Sequence, residues 1–237
     1  MLLNEIFTLF IVFLANTVEA ITGFAGTMLA MPPAMLLIGV NDAKLVLNVV
    51  AILVSLILSS QNRGNVNKKE AVRIIVLMLI GMGIGLYLFS VLSTGSLMKG
   101  YGVLIFLIAL KGLLIRRTFR VPGWLLLLTV LGAGVIHGMF LSGGSLLVIY
   151  AIAVLRDKSV IRATLAPVWL TLNTIMLIQD IVFMRFNAHI LMLCALCVIP
   201  VLLALKLGNA MHKRINQEAF IRLTYVLLII SASSLLV

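Results

Sequence analysis

The sequence predicts an all-α, polytopic membrane protein whose two halves repeat one helical pattern in opposite orientations. Composition is the first observation: 63% of the 237 residues are hydrophobic and only 11% are charged, whereas soluble domains are nearer half apolar and a quarter charged. Second, apolar runs near the roughly 18–20 residues that span a hydrocarbon core follow one another through short loops. A glycine-rich interruption that occurs twice is the third observation. No stretch is long and polar enough for a separate soluble domain.

Ten apolar segments can be drawn along the chain. They cover approximately residues 2–20, 24–40, 43–60, 72–92, 98–115, 122–140, 143–156, 159–182, 188–206 and 219–237. The second and seventh are short. Pro32-Pro33 is expected to kink or end the second helix, because proline removes a backbone donor and restricts the residue before it. Five segments in residues 1–117 and five in residues 118–237 place the halves in opposite orientations, an inverted five-plus-five repeat.

The distribution of basic residues predicts the same orientation independently. If the loop 61–71 is cytoplasmic, only Lys44, Lys99 and Arg185 of the 18 lysines and arginines fall on the outer side. Such a bias follows the positive-inside rule and predicts a protein of the cell inner membrane with both termini outside the cytoplasm. The net charge of +11 is then explained by orientation and by anionic lipid headgroups. Nucleic acid is not an expected partner.

Two polar, glycine-rich breaks interrupt the apolar sequence, at residues 19–27 and 137–145. A constant offset of 118 positions pairs Gly26 with Gly144 and Thr27 with Ser145. Irregular backbone at membrane depth is tolerated only where it is buried in protein or lines a cavity, and paired interruptions point to the binding site of a transporter. The segments that flank each break either both cross the membrane or form a re-entrant hairpin. We favour the hairpin, which brings both breaks to the midplane.

The breaks have the features of an anion site. Glycines let backbone amides approach a ligand closely, and helices that begin after each break present free N–H groups and a partial positive charge. Hydroxyls add further donors. The candidate substrate-binding residues are Thr22, Gly23, Gly26, Thr27, Ser142, Gly143, Gly144, Ser145, Asn48 and Thr164. The alternative is that the glycines only permit close helix packing, which is common in membranes.

Glu19 and His137 are also related by the offset of 118 and are the candidate proton-coupling residues. A carboxylate within a membrane helix is costly and marks a functional hypothesis, and histidine titrates near neutral pH. Equivalent positions in two inverted halves would bring the pair together beside the substrate. The structural alternative is a satisfied polar pair that holds the two halves together.

The motifs resemble those of the TauE/SafE family of sulfite and organosulfonate permeases. The resemblance rests on Gly-Phe-Ala-Gly-Thr at 23–27, an apolar run with Pro32, and Asn41-Asp42-Ala43; the second half has Ser-Gly-Gly-Ser at 142–145 and Arg162-Ala163-Thr164. Ala25 and Leu141 depart from the family pattern, which has glycine at these places. The resemblance covers essentially the whole chain. It implies transport of small sulfur-containing or carboxylate anions, with proton coupling as one option.

Other classes of function fit the sequence less well. No Gly-x-Ser-x-Gly nucleophile motif is present, so an intramembrane hydrolase is the weaker alternative; a passive anion channel and an assembly subunit also remain open. Cys194 and Cys197 share an apolar helix face and are interpreted as packing residues, so no metal or cofactor is expected. The predicted partners are a small anionic solute and membrane lipid, and a homodimer is one option for assembly.

Overall fold

The computed structural model describes residues 3–114, 122–155 and 157–212, with isolated positions beyond 212. Within these residues the chain forms helices and no strand, which confirms the predicted all-α class. The helices are α1 Leu3–Thr22, α2 Gly26–Ile38, α3 Val40–Gln61, α4 Lys68–Val91, α5 Thr94–Leu114, α6 Gly123–Phe140, α7 Gly144–Val154, α8 Lys158–Val182 and α9 Ala188–His212, with a single 3-10 turn at Arg63–Asn65. The predicted segment 219–237 lies almost wholly outside the described residues.

Helix length separates two classes of segment. Six helices are long and apolar enough to cross a membrane: α1, α3, α4, α6, α8 and α9. Helices α2 and α7 have only 13 and 11 residues, which at 1.5 Å per residue is about 20 and 16 Å, well short of a core of about 30 Å. The second and seventh segments are thus the short ones, as predicted, and each follows a longer helix across a glycine-rich break.

Helix α2 keeps the bounds expected of its segment despite its two prolines, whereas α9 runs past its predicted end. Helix α2 does not end at Pro32-Pro33 but continues to Ile38, because two prolines remove only the two donors that would reach the carbonyls of Met28 and Leu29. Helix α9 was expected to end at residue 206 and extends to His212. The exposed Lys206 side chain can reach the membrane surface from a helix that continues past it.

Helices of the two predicted halves exchange partners. Helices α3 and α8 pack against each other, α1 packs along α9, and α6 packs along α4. The first helix of each half therefore lies against the fourth helix of the other half. Contacts of α3 with α9 and of α4 with α8 complete the exchange. These contacts are thus reciprocal between the two predicted halves.

Close packing of α4 on α6 depends on glycine. Gly81 and Gly85 lie so near the α6 carbonyls of Leu131 and Val135 that a Cβ would collide with them. The spacing of four residues places both glycines on one helix face, as in small-xxx-small membrane interfaces. At this interface the glycines therefore serve to let two helices pack closely.

The stability of the α4–α6 interface can be tested with a matched pair of substitutions. We expect Gly81→Ala to destabilise the protein by about 1–3 kcal/mol, because the backbone of α6 must move. Gly83→Ala, two residues away on an exposed face with no atom within 4 Å of its Cβ, should leave the melting temperature unchanged or raised. Thermal unfolding in detergent micelles measures both, and equal effects would contradict the assigned interface.

Candidate functional site

The two glycine-rich breaks touch each other. The Thr27 hydroxyl donates a hydrogen bond of 2.6 Å to the carbonyl of Leu141, and the Ser142 hydroxyl donates one of 3.4 Å to the carbonyl of Thr27. Gly144 lies against the carbonyl of Phe24 with no room for a Cβ. The breaks are 118 positions apart in sequence, so their contact brings equivalent parts of the two predicted halves together in the interior.

In the first break the chain reverses at Gly23. Its φ of 84° is in the left-handed region, where glycine has no steric penalty. The Thr22 hydroxyl donates to the carbonyl of Val18 at 2.8 Å and accepts from the N–H of Phe24 at 3.3 Å. Thr22 therefore builds the turn that joins α1 to α2.

Glu19 places its carboxylate at the start of α2. A Cβ on Gly26 would overlap the Glu19 Oε2 atom, and the backbone N–H of Gly26 hydrogen-bonds the Glu19 carboxylate. Glu19 is only 4% exposed, and its Oε2 has no geometrically defined hydrogen-bond partner among the described residues. The positive end of α2, predicted to face an anion, is thus faced by an anionic side chain of the protein itself.

The second break repeats the reversal without glycine. Leu141 has φ 57° and ψ 18°, a left-handed conformation that costs a non-glycine residue about 1–2 kcal/mol. It stands 118 positions after Gly23, so the same turn occurs at the equivalent place. The hydroxyl of Ser142 donates to the carbonyl of Phe140 at 2.9 Å, and that of Ser145 to the carbonyl of Ser142 at 3.4 Å. These bonds stabilise the turn before α7.

Trp169 of α8 joins the two breaks. Its indole N–H donates a bond of 2.8 Å to the carbonyl of Gly23. Its ring stacks on the imidazole of His137, with centroids 5.4 Å apart. His137 is 1% exposed, and neither ring nitrogen has a geometrically defined hydrogen-bond partner among the described residues. From the sequence, Trp169 was expected to pack within its helix bundle, with a place at the edge of the cavity as the alternative.

The central helices add further polar groups without partners. Both amide atoms of Asn48 and the hydroxyl of Ser55 lie on α3, and the Asn173 Oδ1 atom lies on α8. All three side chains are about 1% exposed. Because buried polar groups in proteins are almost always hydrogen-bonded, such a set indicates a place where water or a polar ligand completes the bonding. Ser55 and Asn173 are one offset of 118 apart. The sequence indicated Asn173 only as a polar residue that either lines the path or bonds helix to helix, and Ser55 was not predicted.

A family model identifies the protein family to which this fold belongs. The model described as Sulfite exporter TauE/SafE matches residues 8–235. The chain belongs to the TauE/SafE family. The family predicted from the glycine motifs is thus confirmed. No curated protein and no solved structure matches the chain. TauE/SafE is a family of membrane transporters for sulfite and organosulfonates.

Not every predicted residue of this TauE/SafE protein faces the breaks. The Thr164 hydroxyl accepts a bond of 3.0 Å from the backbone N–H of Asn67 and so supports the start of α4. Gly143 packs on the carbonyl of Ala133. No cluster of His, Cys, Asp and Glu suited to a metal occurs among the described residues, and Cys194 and Cys197 are buried free thiols.

Proposed function

We propose that this TauE/SafE protein is a secondary transporter that moves a small organic or sulfur oxyanion, such as a sulfonate, sulfite or carboxylate, across the cell inner membrane. The observation that carries the proposal is the contact between the two breaks, surrounded by buried polar groups that have no geometrically defined partner among the described residues. Helices interrupted at membrane depth supply backbone donors to a ligand in inverted-repeat transporters. The anion would bind beside the start of α7, with Gly144 and Ser145 on one side and His137 and Asn48 nearby.

Proton coupling follows from the position of Glu19. A charged carboxylate at the start of α2 repels an incoming oxyanion, and the repulsion is strong where water is excluded. A protonated Glu19 removes that repulsion, so the substrate can approach the start of α2. We therefore propose that one proton, exchanged or shared by Glu19 and His137, accompanies each anion. Proton and anion then travel in the same direction.

Alternating access would use the exchanged packing of the helices. The α3–α8 pair provides a central element, and each hairpin is attached to the fourth helix of the other half. We propose that residues 1–117 and 118–237 rock against each other about the breaks, so that each side of the site opens in turn. The bias of basic residues supports an orientation with both termini outside the cytoplasm.

Purified protein in liposomes tests the proposal. We expect thermal stabilisation by sulfite, thiosulfate, methanesulfonate or acetate, because a ligand that binds only the folded state raises its stability. A proton gradient, acidic outside, should then drive accumulation of methanesulfonate above its external concentration. Saturable uptake without accumulation would favour a facilitated carrier. Non-saturable flux would favour a channel. Absence of both binding and flux would contradict the proposal.

A further inference from the structure

Two buried cations occupy equivalent places beside the breaks. Lys44 is the fifth residue of α3 and Arg162 is the fifth residue of α8, and the two are separated by the same 118 positions as the glycine motifs. They are only 8% and 5% exposed. From the sequence, Lys44 was counted only as an outer-side charge, and Arg162 as an inner-side charge that could also face an anion approaching from inside.

Each cation contacts one break. The Lys44 ammonium donates a bond of 3.3 Å to the carbonyl of Gly138, at the start of the second break. Arg162 packs on the first break. If Gly23 carried a Cβ, that atom would lie only 2.8 Å from the Cα of Arg162. The corresponding residues of the two central helices therefore support corresponding turns.

The two cations lie at opposite ends of α3. Lys44 is near the start of that helix, whereas Arg162 donates to Asn209, which in turn donates to Gln61 at its end. The 17 residues from Lys44 to Gln61 correspond to about 25 Å along a helix. One cation therefore lies toward each face of the membrane. In the predicted orientation, Lys44 is on the outer side and Arg162 on the inner side.

Neither cation forms an ion pair with any carboxylate in the part of the chain that the structure describes. The ion pairs among the described residues join Glu70 with Arg73, Asp180 with Arg185, and Glu5 with His189. Asp180 attracts Lys44 electrostatically, but its own bonding partner is Arg185 at 2.8 Å.

The groups that the two cations do contact are neutral. Lys44 lies 3.7 Å from the centroid of the Phe89 ring. Arg162 bonds the Asn209 amide, and its Nε atom has no partner among the described residues. Buried lysine and arginine are rarely left without a counter-charge, so both positions are suited to a transient anion.

We propose that Lys44 and Arg162 are the two anion-recognition residues of the transport path, each of which binds the substrate on one side of the breaks. This inference rests on the proposed function and specifies how the anion is selected on each face. The anion would contact Lys44 when the site opens to one side and Arg162 when it opens to the other. The planar guanidinium suits two oxygens of a sulfonate or carboxylate, and the ammonium acts as a point charge.

Transport measured separately from each face tests this assignment, with methanesulfonate and sulfite as probes in oriented membrane vesicles. Lys44→Gln should raise KM about tenfold or more on one face, and Arg162→Gln should do so on the opposite face, because each substitution removes the charge that binds the anion there. Lys44→Arg should restore most of the affinity, whereas Arg162→Lys should restore only part of it. The exposed residues Lys99 and Lys206 provide the controls Lys99→Gln and Lys206→Gln, which should change neither KM.

The outcomes separate this inference from the proposed function. Changes in KM that are equal on both faces, or absent from both, overturn the inference while transport by the natural protein stands. A natural protein that moves neither probe overturns the proposed function and the inference with it. If Arg162→Gln does not fold, Arg162→Lys still tests the inner side, because a point charge should bind a two-oxygen anion more weakly from that face only.

Discussion

Glu19→Gln should abolish proton-driven accumulation of the anion while leaving anion binding intact. Glutamine has nearly the same volume as glutamate, and its amide oxygen can accept the bond from the Gly26 N–H that reaches the carboxylate. It cannot carry a proton between the two sides. The accumulated ratio of methanesulfonate in liposomes with an imposed proton gradient should fall to about one, and downhill exchange should continue.

A second carboxylate supplies the control for this experiment. Asp42 lies partly exposed in the first turn of α3, and Asp42→Asn removes one negative charge without touching the break. It should keep proton-driven accumulation at the level of the natural protein. Proton-driven accumulation that persists in Glu19→Gln would show that Glu19 has a structural role and that the coupling proton is carried elsewhere.

Gly144→Ala should separate the two breaks and remove most transport activity. A Cβ at this position collides with the carbonyl of Phe24, and a backbone obstacle cannot rotate away as a side chain can. We expect a destabilisation of about 1–3 kcal/mol from overpacking. We also expect a fall in transport of about tenfold or more, because a displacement of about 1 Å at a binding site has effects of that size.

Gly123→Ala is the matched control for Gly144→Ala. Both substitutions add one methyl group at the first residue of a helix, and a Cβ on Gly123 meets no atom within 4 Å. Flux per folded protein, normalised by size-exclusion chromatography, should be unchanged in Gly123→Ala. Full activity in Gly144→Ala would mean that contact between the breaks is incidental to transport.

Much of the fold could be predicted because the physics of the bilayer leaves few choices. Apolar length determines which segments cross, so the predicted bounds of α1 to α8 lie within a few residues of those observed. The offset of 118 also predicted which parts of the two breaks correspond. The left-handed turns at Gly23 and Leu141 occur at that offset, even though leucine alone gives no local signal for such a turn.

The details of the site depend on contacts that local sequence does not specify. The Glu19 carboxylate reaches Gly26 only because Gly23 reverses the chain between them. Trp169 joins the breaks through the carbonyl of Gly23, 146 positions away in sequence, and nothing near it in sequence indicates that partner. The role of Lys44 beside the second break was not predicted, because the charge count treats every basic residue only as a marker of membrane orientation. Comparison of charged positions at the offset of 118 would have paired it with Arg162.

A structure determined with a heavy-atom oxyanion tests the central claim most directly. Selenite carries a strong anomalous signal and resembles sulfite in shape and charge. The account predicts a selenium peak between the breaks, within hydrogen-bonding reach of Ser145, His137 or Asn48, that sulfite removes by competition. A peak on the lipid-facing surface, or no peak between the breaks when selenite inhibits sulfite transport, would contradict it.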